Sequence, residues 1–457
     1  MPRNCEFVAR VDGDISEFQL LFEAANEFSR GSDRWAEVQP GYMSFHFESE
    51  DAYLRFIEFR EHRPKHDAQR QEAPRQYRLI ILGAGFSRPA GLPLMVDLWN
   101  EIRERAARYP LDHRASKFND DLAHYIEFRS RTNGSALTPE TVDFEDFMRF
   151  LDVEHYLGLR GGDTWSDDGN EGTIVTKFLI GSILARHVNA LETVPELYLE
   201  FAKRLDPRDT IITFNYDTLL ERALDAVGKR YRLFTSRFKS IDEFGGTIDT
   251  SRDDVVVILK VHGSIDWFDR TQFERRIVWH QKQKASPPED IIFSHERALG
   301  IERLADGPRP DADPLRNVYR VKNLKAIYAK DLLFMATPRI LAPSAAKLLY
   351  ATRMNDFWEG MGNAGYYNFG MAIIGFSLPT QDEYARQILY EWVSNYQRYN
   401  WDVDELGRKK KPLAIVDFFP DDTSKVRFTE RYRFVDWTRA NLNGNGFDIS
   451  SLDRIFA

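Results

Sequence analysis

Five short stretches hold residues whose types could do chemistry. Gly83-Ala84-Gly85-Phe86-Ser87 is a glycine-rich turn, and missing side chains let backbone N–H groups approach a phosphate. Asn215-Tyr216-Asp217 carries an amide and a carboxylate. Asp217 is placed to cap a following helix, which leaves Asn215 without a structural reason. His262, followed by Gly263, has an ordinary pKa near neutrality and is the natural general base of the set. Gly375 to Ser377 and Asp417-Phe418 add a glycine, a hydroxyl, a carboxylate and an aromatic ring. Two further patterns carry less. His262, Ser264 and Asp266 lie too close in sequence for a nucleophile triad and lack the strained turn it needs. Asp143, Glu145, Asp146 and Asp152, with His155 nearby, are dense enough to suggest a metal. They surround the apolar face Phe144, Phe147, Met148 and Leu151 and read as a solvated helix face, so no metal is expected.

The elements that must position these residues follow from the apolar runs before them. Leu79 to Leu82 is short, branched and bounded by glycine, as a buried strand would be. Similar runs stand at 210–214, 255–261, 371–376 and 413–418, and each ends in one of the polar stretches. Helical spacing resumes after the first at Leu94, Leu98, Trp99 and Ile102, after the second at 218–226, and after the fourth at 383–392. Strand, polar tip, helix, repeated, predicts an α/β chain with an open sheet whose strand tips converge at one edge. The loop departs from the usual dinucleotide fingerprint, because Arg88 stands where a third glycine is expected.

Residues from about 100 to 205 read as a helical insertion, and from about 270 to 330 as an irregular, proline-bearing one. The run Arg408 to Lys411 reads as a solvated loop. Residues 1–75 alternate strand, helix, strand, helix and predict a small accessory or oligomerisation α/β domain ending in a linker. The expected division is therefore 1–75 and 76–457. The chain has 457 residues, 43% hydrophobic and 29% charged, the balance of a globular protein. Its net charge of −9 does not favour wide, nonspecific contact with nucleic acid. The single cysteine, Cys5, excludes an intrachain disulfide and a zinc knot of several cysteines, as suits a reducing cytoplasm. No apolar run reaches membrane-spanning length.

The order and spacing of these tips resemble the sirtuin family: Gly-Ala-Gly-Phe-Ser with Gly91-Leu92-Pro93, Thr213-Phe-Asn-Tyr-Asp217, His262-Gly263 and Gly375-Phe-Ser377. The departures are the missing four-cysteine zinc ribbon and Leu94-Met95-Val96 in place of the family's Asp-Phe-Arg. The pattern is similar to sirtuin-like NAD hydrolases of bacterial anti-phage defence. The resemblance implies a Rossmann-like parallel sheet, NAD as substrate and cleavage to nicotinamide and ADP-ribose. It implies Asp217 for the nicotinamide carboxamide, Asn215 for the water or ribose, and His262 as base. Gly83, Ala84, Gly85 and Ser87 would hold the diphosphate, Phe86 and Thr213 would also bind the cofactor, Gly375 and Ser377 would sit at the adenosine ribose and Asp417 or Phe418 near adenine. It implies, as partners, other copies of the chain and an ATPase of the hexameric DNA-translocase type or a nucleic-acid-guided protein encoded nearby. The alternatives are a non-catalytic NAD or ADP-ribose sensor, an NAD-dependent deacylase or ADP-ribosyltransferase, and a metal-dependent hydrolase using the acidic residues near Glu145.

Overall fold

The run Leu79-Ile80-Ile81-Leu82 is apolar throughout because both faces of its strand are covered; all four side chains are buried. This strand, β1 (Arg78–Leu82), is the middle of a seven-stranded sheet. The others are β2 (Thr210–Thr213), β3 (Tyr231–Leu233), β4 (Val256–Lys260), β5 (Gly370–Ile374), β6 (Leu413–Val416) and β7 (Ala440–Asn443). The order is β7-β6-β5-β1-β2-β4-β3, with every neighbouring pair parallel. The chain leaves β1 for β2 on one side and later returns to β5 on the other. The gap between β1 and β5 is thus the switch point, where an open α/β sheet opens a crevice at its strand ends. The fold is α/β and Rossmann-like. The computed structural model describes residues 78–456 apart from 111–112, 135, 165, 208, 234–237, 243–244, 249–254, 287–288, 291, 305–314, 330–336, 348, 351–363, 367, 380–381, 399–400 and 402–408, together with 7–12, 34–39, 42–47 and residue 54.

Between β1 and β2 the described residues include five helices of nine residues or more: Met95–Ala106, Lys117–Asn133, Phe144–Tyr156, Glu171–Ala190 and Glu196–Arg204. Glu171–Ala190 is buried on nearly every side, which its apolar composition allows. Asn170 caps it by accepting the Thr173 N–H at 2.9 Å, and Asp143 caps Phe144–Tyr156 in the same way at Asp146. The first four share a second core with the segment around Ile265, Phe268 and Tyr328, and Glu196–Arg204 packs on the sheet core.

Several expectations are corrected. The stretch 270–330 holds a helix, Thr271–Lys282, and two strands, Ile301–Arg303 and Val318–Val321. With Trp267–Asp269 they form a small antiparallel sheet. Strands of three or four residues are too short to show a period. The edge strands β3 and β7 went unread for a related reason: they are short and partly exposed, so no unbroken apolar run marks them. In the N-terminal unit, Phe7–Asp12 and Tyr42–Phe47 pair antiparallel, and a strand not anticipated, Arg34–Gln39, pairs with the latter. The helices expected at 15–28 and 52–59 lie outside the described residues, Leu54 excepted.

The acidic helix face is only partly solvated: Asp143 is exposed and Glu145 half-buried. Asp146 and Asp152 are buried, Asp146 accepting the Tyr125 hydroxyl at 2.6 Å. Burial pushes the Asp152 carboxyl up to about 6. Lys410, read as part of a solvated loop, is also buried, its ammonium donating to the carbonyls of Gly365, Tyr366 and Tyr396. Among the described residues, no group of three or more metal-ligating side chains gathers, and no helix is long and apolar enough to cross a membrane.

Candidate active site

The glycine turn begins a helix at once. Ala84–Ser87 is one α-turn, followed by the 3-10 turn Arg88–Ala90 and Gly91 in the left-handed region. Its glycines answer to packing as well as to any ligand. The N–H groups of Gly83 and Gly85 donate to the carbonyls of Ile374 and Gly375, both at 2.9 Å. A Cβ on Gly375 would lie 2.3 Å from the Gly85 carbonyl carbon, and Gly375 holds φ at 61°. Two backbones therefore touch across the switch point. The amides of Gly83 and Gly85, expected to face a diphosphate, are already engaged with β5.

A cavity of about 760 Å³ opens over this contact. It is lined by Gly83, Ala84, Gly85 and Ser87 from the β1 tip, Asn215 and Asp217 from the β2 tip and His262 from the β4 tip. Gly375 and Ser377 of the β5 tip and Asp417 and Phe418 of the β6 tip complete it. Two expected residues lie elsewhere. Phe86 is buried in the core against Tyr198, Phe201 and Phe447, with ring centroids 4.9–5.2 Å away, because its turn points it behind the sheet edge. Thr213 is buried behind the cavity, and its hydroxyl accepts the Asn215 N–H at 3.1 Å. Both support the site without lining it.

Asn215 Nδ2 donates to the Gly83 carbonyl at 2.9 Å and to Ser87 Oγ at 3.3 Å. The Ser87 hydroxyl donates to Asp217 Oδ2 at 2.9 Å, and Asp217 Oδ1 accepts the Leu219 N–H at 3.0 Å. The N-cap position falls on Thr218, one residue later than expected, but the Asp217 carboxylate still accepts the first helical N–H and also faces the cavity. A carboxylate accepts at about four sites, so capacity for a ligand N–H remains. Below it, Lys260 donates to Glu221 at 2.9 Å and to the Asp217 carbonyl, a buried pair that fixes the β2 tip.

His262 is buried. Burial, aided by the Lys347 charge, holds its imidazole well below the ordinary histidine range, while a bond to the Phe214 carbonyl opposes this. It is neutral at physiological pH, the form a base requires, and it does not titrate near neutrality as its residue type alone suggests. Its Nε2 meets the Tyr384 hydroxyl. Lys347 sits 5.3 Å from the Tyr384 ring centroid and pairs with Asp382 at 2.7 Å. Glu145 completes this wall; burial raises its carboxyl pKa, while Lys347 draws it down. Asp382 had a signal, standing just before the helix Glu383–Arg398 that follows the β5 tip. Tyr384 and Lys347 had none. Ser264 and Asp266 turn away, Ser264 to the Tyr216 carbonyl and Asp266 to Arg320 at 2.7 Å.

At the other end, burial pushes the Asp417 carboxyl up to about 6. Phe418 stands 65% exposed at the rim. A larger cleft, about 1020 Å³, flanks the helix Leu219–Ala226 and is rich in cations. Arg222 and Lys229 there bond backbone carbonyls, and Arg320 and Lys322 pair with Asp266 and Glu302. The chemistry-bearing tips all belong to the smaller cavity.

Fold and site together define a doubly wound α/β protein with a ligand cavity at its switch point. A family model described as a SIR2-like domain matches residues 209–299, the segment that carries Asn215, Asp217 and His262. Among solved structures, that of Sir2Tm bound to a propionylated peptide is similar at 10% identity, covering 83% of this chain and 91% of that one with a TM-score of 0.28. No curated protein matches the chain.

Proposed function

We propose that the protein is an NAD glycohydrolase, releasing nicotinamide and leaving ADP-ribose. What supports the reading is the meeting of Asn215, Asp217 and His262 with the glycine turn in one cavity at the switch point. Water attacks C1′ of the nicotinamide ribose as the glycosidic bond breaks. The bonding electrons leave with nicotinamide, neutralising its ring, and one proton is released. No metal is needed, because the leaving group already carries the positive charge. Asp217 accepts the carboxamide N–H. Asn215, with Nδ2 anchored to Gly83 and Ser87, offers Oδ1 to the water or a ribose hydroxyl. Such orientation supplies a large part of a rate enhancement. Neutral His262 takes the proton. The adenosine end lies towards Ser377 and Asp417.

The test is incubation of the full chain with NAD, alone and with neighbouring gene products, followed by chromatography. Nicotinamide and ADP-ribose are expected in equal amounts, with Asn215→Ala and His262→Ala each about 10²-fold slower or worse. Tight NAD binding without nicotinamide release would sink the hydrolase and favour a sensor. Release that depends on an acyl-lysine peptide would favour a deacylase. Unchecked loss of NAD is toxic, so we further propose a defence effector whose activity is gated by assembly with its own copies and a partner.

A further inference from the structure

A base must have an open nitrogen, and His262 does not. The Phe214 backbone favours the protonated ring, as a carbonyl accepting a ring N–H does. The other nitrogen, Nε2, is then the acceptor, and the Tyr384 hydroxyl fills it. Burial keeps the ring neutral, and in the tautomer with Nε2 unprotonated the phenol O–H is the donor of that contact. Tyr384 stands half-buried between His262 and Lys347, and both of these line the cavity. The Lys347 ammonium lies against the phenol ring and is held by buried Asp382. The charge polarises the phenol O–H but also lowers the basicity of the imidazole, so the phenol gives up its proton only as it gains another. Oη retains acceptor capacity for a second O–H.

We propose that Tyr384 is the proton relay between the attacking water and His262, an inference that rests on the NAD-cleavage reading. As the water oxygen bonds to C1′ and the nicotinamide takes the glycosidic electron pair, the water's proton passes to Tyr384 Oη. The phenol proton passes to His262 Nε2. The imidazolium then returns a proton to solvent by the reverse route, and the phenol is regenerated.

The experiment is Tyr384→Phe in the full chain, which keeps the ring and removes the hydroxyl. With NAD, kcat should fall about 10²-fold while KM stays within about twofold. An unchanged kcat would overturn the relay. So would a kcat that rises, which would make the phenol a plug over His262. A second readout needs no turnover: the imidazole 15N spectrum of the protein labelled at histidine. The His262 Nε2 resonance should move towards that of a free acceptor on substitution, and an unmoved resonance overturns the contact on which the relay depends. If the unsubstituted chain releases no nicotinamide under any condition, the NAD-cleavage reading fails, and the nitrogen spectrum still decides the contact.

Discussion

Asp417 shows how burial turns an ordinary residue into a selective one. Its backbone neighbour Phe418 donates an N–H to its Oδ1 at 2.8 Å, yet desolvation wins and holds the carboxyl up near 6. Under the proposed reading this group lies at the adenosine end, beside adenine, whose ribose carries an extra phosphate in NADP. Above about 6 the carboxylate is charged and repels that phosphate, and below it the acid is neutral. The preference for NAD over NADP, read as a ratio of kcat/KM values, should therefore grow as pH rises from about 5 to about 7.5. Asp417→Asn should flatten that dependence and lower the ratio about tenfold at the upper end. A ratio indifferent to both would remove Asp417 from the adenosine end. At this scale the sequence was partly legible. Asn215, Asp217 and His262 announce themselves as polar residues at the ends of apolar runs. Tyr384 does not, because its bond to His262 spans 122 residues and nothing local marks it.

Among the elements, the contact of the β1 turn with the β5 tip matters most. Gly375 and Gly91 both hold left-handed φ, at 61° and 83°. Only Gly375 has a backbone in the way, since nothing lies within 4 Å of a Cβ on Gly91. Gly91→Ala should cost about 1 kcal/mol, the strain of the dihedral alone. Gly375→Ala should cost about 2–4 kcal/mol and spread the crevice, so that NAD turnover is lost well below the melting temperature. Equal melting temperatures for the two variants would show that the close approach carries no weight. The central strands were readable because burial on both faces leaves an unbroken apolar run. The edges β3 and β7 were not, and neither was the small sheet of 267–321, where one or two turns of the pattern are all that exist. The acidic helix misled for another reason: Asp146 and Asp152 are buried through partners that only the tertiary fold supplies.

For the whole molecule, the division at residue 75 and the assembly of copies are proposals with a direct measure. If residues 1–75 hold copies together, light scattering should give a multiple of the 53.3 kDa chain mass, and a smaller multiple once they are removed. The same multiple before and after would leave that segment without an assembly role. Two cores make up the described body, one behind the seven-stranded sheet and one within the helices and the 265–328 segment. Composition foretold a large buried interior but not that it would be split.

Tyr216 joins those two cores. It lies between Asn215 and Asp217, and its ring is buried in the helical core while its hydroxyl donates to the Leu341 carbonyl at 2.6 Å. Its two neighbours face the cavity. The helices cannot loosen without pulling on the three-residue hinge that aims both polar groups. Loss of helical packing would therefore disturb the aim of Asn215 and Asp217 through the residue between them.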